Sequence, residues 1–242
     1  MPSYYYPTRY GYGGSGLWLV LICALFALWA SHNVNSTFKK YAQQFSRRRI
    51  TGAQAAQRVL SANGVHGVRI DRVSGNLTDH YDPKTNVIRL SDSVYGSTSS
   101  AAIGVACHEV GHAIQYAQGY GPIKLRNALV PVTNLGAKLS GPLILAGFLL
   151  ASFSESYLSL AYVGVLCFAL STFFQLITLP VEFNASRRAM ASIRELGLLY
   201  EDEQVGVKKV LGAAALTYVA ALAVSLMQLL RFLIILGGRR RD

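Results

Sequence analysis

Charge is scarce in this chain of 242 residues. Only 14% of it is Asp, Glu, Lys or Arg, against about 25% in ordinary soluble domains. Acidic residues are the rarer sign, 12 against 23 Lys+Arg, which leaves a formal charge of +11. The shortage of charge argues against a plain soluble domain, and a hydrophobic content of 52% excludes a disordered chain. Cysteine is scarcer still: three residues and no CxxC pair, so neither a disulfide framework nor a thiolate zinc site is available. Cys23 and Cys167 lie in apolar runs, and Cys107 beside a histidine. No internal repeat is present. No RNA- or DNA-binding motif accompanies the positive charge, which removes nucleic acid from the expected partners.

The missing charge is replaced by long apolar runs. Residues 17–30 (LWLVLICALFALWA) contain no polar side chain, and Glu155 is the only charge between positions 139 and 179. Residues 210–230 are again uncharged, with Arg231 following. A bilayer core needs about 20 residues of helix, and these runs supply about four crossings if the second begins near Asn127. A cleaved signal peptide is disfavoured for the first run, because a long Tyr/Gly-rich stretch precedes it and no A-x-A site follows. The expected fold is an α-helical membrane protein carrying a small α+β module. Its expected parts are a tail (1–16), an anchor (17–34), a polar module (35–126) and a transmembrane hairpin (127–179). A further helix and connection (180–209), a last transmembrane helix (210–236) and a basic tail (237–242) complete it.

Within the polar module, Thr51-Gly-Ala-Gln54 is a capping box opening a short helix that Asn63-Gly64 closes. Residues 68–73 read as a strand. Residues 77–81 and 87–90 read as a hairpin around the turn Asp82-Pro-Lys-Thr85. The run KKYAQQFSRRRI reads equally as a solvated face or as a contact for anionic lipid head groups. A helix over 99–118 follows and ends at Gly119-Tyr-Gly-Pro122.

That helix carries His108-Glu109-Val110-Gly111-His112, an HExxH motif. Four residues turn a helix through about 400°, so the two imidazoles project from one face, as one tetrahedral Zn²⁺ requires. Glu109 lies about 100° round, placed to reach a water rather than the metal and to act as general base. A hydrolytic zinc site takes a third protein ligand and leaves one position open. His32, His66, His80 and Glu182 are the candidates. Glu182 directly follows the third apolar run, with Pro180 suited to the first turn of a new helix. Two crossings separate His112 from Glu182, which returns both to the same side of the membrane. Candidate donors for a developing oxyanion are His80, Tyr81, Tyr218 and Arg187.

Together HEVGH, the distant VEFNASRRA, the hairpin LTDHYDP…VIRLS and ALTYVAA resemble the YugP-like family of bacterial membrane zinc metallopeptidases. That family is more distantly similar to the HtpX and CAAX-prenyl-protease type of membrane gluzincin. The resemblance runs from about Leu17 to Leu236. It implies a zincin-like module, zinc as cofactor, His108, His112 and Glu182 as its ligands, and Glu109 as the base. It also implies a polypeptide substrate, membrane-associated or unfolded, and a role in membrane-protein quality control. The family pattern has Asp where Asn184 stands, so any role of that position in orienting a histidine loses its negative charge here.

Eighteen of the 23 basic residues lie in residues 31–138 and 180–209, and the short loop around Glu155 has none. The positive-inside rule then places the module in the cytoplasm of a multi-pass inner or plasma membrane protein. Four crossings put both termini outside, which the basic tail Arg239-Arg-Arg241 opposes. The alternative to an enzyme is a non-catalytic scaffold or chaperone in which zinc ties helices together.

Overall fold

A computed structural model describes residues 16–239. Most of the expected N-terminal tail and the last three residues of the basic tail lie outside the described residues.

The chain opens with α1 (Leu17–Tyr41) and α2 (Gly52–Ala62). Three strands follow: β1 (Arg69–Val73), β2 (His80–Asp82) and β3 (Val87–Ser91). Next come the short α3 (Asp92–Tyr95) and α4 (Ser100–Ala117). Three long helices end the chain: α5 (Gly121–Leu150), α6 (Leu158–Glu195) and α7 (Glu201–Arg239). The helices α1, α5, α6 and α7 are each long and apolar enough to cross a membrane. The fold is thus mostly helical with one small mixed sheet. At about 1.5 Å per residue α7 is about 58 Å long, ample for a full crossing.

By internal contacts the chain forms two compact units. One comprises the described residues up to Ala27, Val132–Thr172 and those from Ala220 on; the other comprises Leu28–Pro131 and Phe173–Val219. In the first, helices approach through small residues, as membrane bundles do. A Cβ on Gly147 would overlap the backbone nitrogen of Ala161. The Thr172 and Ser225 hydroxyls share a hydrogen bond at 2.6 Å, and Phe168 meets Phe232 edge to face. Leu25, Leu145 and Leu166 are 65%, 61% and 71% exposed. So much uncovered leucine suits hydrocarbon and not water.

The second unit is built on α4. Its small residues let neighbours close in on every side, and α2 packs against it through Ala55, Ala56, Val59 and Leu60. The Thr51 capping box starts α2 as expected. The strands stand in the order β1-β3-β2, with β1 parallel and β2 antiparallel to β3. β3 is therefore central and buried, so of the two expected hairpin strands only β2 retains a free edge.

Two local expectations change. Pro180 sits inside α6, not in the first turn of a new helix. The third apolar run and the Glu182 segment are one helix of 38 residues, because a proline there removes one backbone hydrogen bond that the flanking turns outweigh. In the basic stretch, Arg47 is committed within the protein. Its backbone N–H donates to buried Glu203 at 2.8 Å, its side chain pairs with Asp202, and its guanidinium lies over Tyr200 at 4.1 Å.

One glycine fixes how closely α4 approaches α6. A Cβ on Gly111 would stand 2.6 Å from the Ala185 carbonyl oxygen, which is backbone and cannot turn aside. Gly111→Ala is expected to lower stability by about 1–3 kcal/mol. Gly141→Ala on α5, with nothing within 4 Å of its Cβ, should leave stability unchanged or raise it slightly. Thermal unfolding of both variants in the same detergent tests the contrast.

Candidate metal centre

The helix that carries HExxH begins at Ser99, whose Oγ accepts from the Ala102 N–H at 3.2 Å. It ends at Gln118, the expected boundary. Between them most residues are buried, which explains the run of Ala, Gly and Ser before the motif. His108 and His112 lie one turn apart, their ring centroids 4.8 Å apart and their planes at 84°.

Glu182 of α6 reaches across to both. Its Oε2 lies 3.2 Å from His108 Nε2 and 3.6 Å from His112 Nε2. One ligand atom from each of the three residues falls within 4.8 Å of the others. A tetrahedral Zn²⁺ with bonds of about 2.0–2.1 Å needs donor atoms about 3.3 Å apart, close to the two spacings found. The carboxylate is 3% exposed, and a buried carboxylate demands a cation beside it. Burial alone would depress the basicity of His112, but the hydrogen bond and charge of Glu182, with the charge of Glu109, raise its pKa. The same field favours a metal ion. The residues therefore fit zinc by donor type, spacing and charge.

The far side of each imidazole is held. Buried Gln115 donates its amide N–H groups to the Val181 carbonyl at 2.8 Å and to Asn184 Oδ1 at 3.0 Å. This fixes the amide orientation and turns Oε1 toward His112 Nδ1 at 3.0 Å. His112 must then carry its proton on Nδ1 and present an Nε2 lone pair to the centre. His108 Nδ1 contacts the Ser186 hydroxyl at 3.1 Å. Asn184 Oδ1 also accepts from Arg188 Nε at 2.7 Å. An acceptor is all that this position must provide, so Asn serves without the charge of Asp.

Glu109 is buried beside the cluster and lines two cavities that meet there. Asp79 borders both. Burial pushes its carboxyl above the usual range, overcoming its hydrogen bonds from Ser91, with the charge of Glu109 adding to the rise. Burial pushes the Cys107 thiol up to about 12, so it remains an inert packing group.

The other candidates from sequence fall elsewhere or on the rim. Neither His32, His66 nor His80 joins the three-residue cluster found among the described residues. His80, Tyr81 and Tyr218 line one of the two cavities, and Tyr218 both. The Tyr81 hydroxyl already donates to Asn86. Arg187 lines a separate cavity with Phe183 and Met190. Sequence reasoning missed Gln115, Ser186 and Arg126, whose Nη2 lies 3.6 Å from Glu182 Oε1. Helical spacing could have found two of them: Gln115 follows His112 by three residues, and Ser186 follows Glu182 by four.

Comparison with known proteins agrees with this chemistry. Residues 16–237 match the family described as "Putative neutral zinc metallopeptidase". The chain is 47% identical over 224 residues to the protein named "Putative membrane protease YugP" of Bacillus subtilis (strain 168). The alignment covers 92% of this chain and 97% of that one. No solved structure matches.

Removing the support behind His112 should weaken metal binding without removing a donor from the cluster. Gln115→Ala is expected to lower zinc affinity by about 10–100-fold. Competition against a chromophoric chelator measures it, and an unchanged affinity would contradict the orienting role.

Proposed function

This chain belongs to the neutral zinc metallopeptidase family, and from that premise we propose a membrane-embedded endopeptidase acting on membrane-associated or unfolded polypeptides. The observation that carries the reading is the convergence of His108, His112 and Glu182 at tetrahedral spacing beside a carboxylate, Glu109, that is left out of the cluster. A structural zinc site fills all four positions from the protein and has no use for a neighbouring base.

In this reading His108, His112 and Glu182 hold the metal and Glu109 is the catalytic residue. Zinc bound there supplies a Lewis acid that polarises the scissile carbonyl and makes water acidic near neutral pH. The Glu109 carboxylate accepts the proton of the attacking water and returns it to the leaving amine nitrogen. Glu109 is 8% exposed, and the low local dielectric strengthens its action on that water. Gln115 and Ser186 keep the imidazoles in one orientation. The free edge of β2 offers backbone groups to an extended substrate, in the manner of strand addition.

The catalytic module comprises residues 35–126 and 180–209, with residues 17–34, 127–179 and 210–236 assigned to the membrane. Its basic surplus supports a cytoplasmic position. By analogy with the distant membrane gluzincins, the reading extends to turnover of damaged membrane proteins.

Glu109→Gln is expected to keep one zinc per chain and to lower cleavage of an unfolded substrate by at least about 10²–10⁴-fold. Metal analysis and a cleavage assay on the same preparation decide it. Cleavage retained by the variant would refute the assignment. For orientation, single cysteines at exposed Asn76 and Ser156 are placed in a cysteine-free background. An impermeant thiol reagent on intact cells should label position 156 and spare position 76. The reverse pattern places the module outside.

A further inference from the structure

Two cavities open on the candidate centre, and their chemistries differ. The first, about 240 Å³, is walled by Val34 and Phe38 of α1, Val105 of α4, and Val210, Leu211 and Ala214 of α7. The second, about 160 Å³, is polar and includes Tyr116, Arg126 and Asn127. Asp79, His108, Glu109, Glu182 and Tyr218 border both. They are therefore two sides of one cleft with the reacting groups between them.

Each side carries its own sign of what it takes. The first is apolar on its walls and borders three carboxylates, so it admits an apolar side chain and repels an acidic one. Its volume suits a single side chain of leucine or phenylalanine size, below the range of about 300–1,000 Å³ typical of small-molecule sites. The second is lined by the polar residues His80, Arg126 and Asn127, so it suits the polar backbone of an extended chain better than a second apolar side chain.

We propose that the cleft selects an extended polypeptide with a medium-sized apolar residue on one side of the scissile bond, seated between α1 and α7. On the other side, the polar second cavity takes the adjoining peptide backbone. The proposal rests on the endopeptidase reading and adds its substrate class. Val34, Phe38 and Ala214 belong to helices that also carry the apolar runs, so the selecting wall is an extension of the membrane anchor itself.

The test separates binding from cleavage. Zinc-loaded Glu109→Gln protein, full length in detergent micelles, is titrated with fluorescent decapeptides of Gly and Ser that carry one central Leu, Ala or Asp. The Leu peptide is expected to bind about 10–100-fold more tightly than the Asp peptide. Ala214→Phe, which fills the first cavity, should reduce the Leu peptide to the affinity of the Ala peptide while zinc content stays the same. Val34→Phe fills it from the opposite wall and should do likewise, which guards against misfolding of either variant. Equal affinities for Leu, Ala and Asp, or a preference unchanged in both filled variants, overturn the proposal. Wild-type protein that cleaves without preference removes the subsite and leaves the endopeptidase standing. Leucine preference without any cleavage by wild-type protein removes the endopeptidase and leaves the subsite.

Discussion

The centre depends on one backbone approach. Gly111 lies between the two histidines on α4, and the space its missing side chain leaves is filled by the peptide carbonyl of Ala185 on α6. Only at that separation does a side chain as short as glutamate, three residues before Ala185, reach both Nε2 atoms. The same approach lets Gln115 bridge to the Val181 carbonyl and to Asn184. The candidate ligand, the orienting amide and the helix contact are consequences of a single short distance. The small residues of α4 serve the same end, since bulk anywhere along it would push its neighbours away.

The membrane imposes the second constraint. Backbone polar groups in hydrocarbon must be satisfied within helices or closed barrels, so a polar module can be split by membrane segments only in helical hairpins. In the proposed arrangement α5 and the apolar length of α6 form such an interruption. They take the chain away and bring it back, and Glu182 arrives as the continuation of the returning helix. An odd number of crossings there would leave the two candidate histidine ligands and Glu182 on opposite faces.

Much of this was legible in the sequence because the signals were local. HExxH, the capping box at Thr51 and the Asp82 turn each report on residues within one turn or one hairpin, and the uncharged runs report on single continuous helices; each matches the element found. What could not be read depends on contacts between distant segments. Nothing local says that β1 pairs in parallel beside β3 and so leaves β2 as the edge. Pro180 is a fair helix-start signal, yet the apolar helix before it continues through. The loss of charge at Asn184 looked like a weakness in orienting histidine. Its actual neighbours, Gln115 and Arg188, are both donors and need only an oxygen. Arg126 stands out only once the fold sets it beside Glu182.

The unbroken course of α6 past Pro180 makes that helix a ruler. Three residues, about 4.5 Å of helix rise, separate the last residue of the apolar run, Leu179, from Glu182. Leu179, Glu182 and Ser186 all lie on the part of this helix that belongs to the second unit, so their spacing is set by a residue count. In the proposed reading, a polypeptide reaches the centre only if a stretch of it can lie extended close to the end of that apolar run. In that reading bilayer thickness, which tilts or sinks membrane helices at a cost of fractions of a kcal/mol per Å, becomes a physical variable in which bonds the centre can reach.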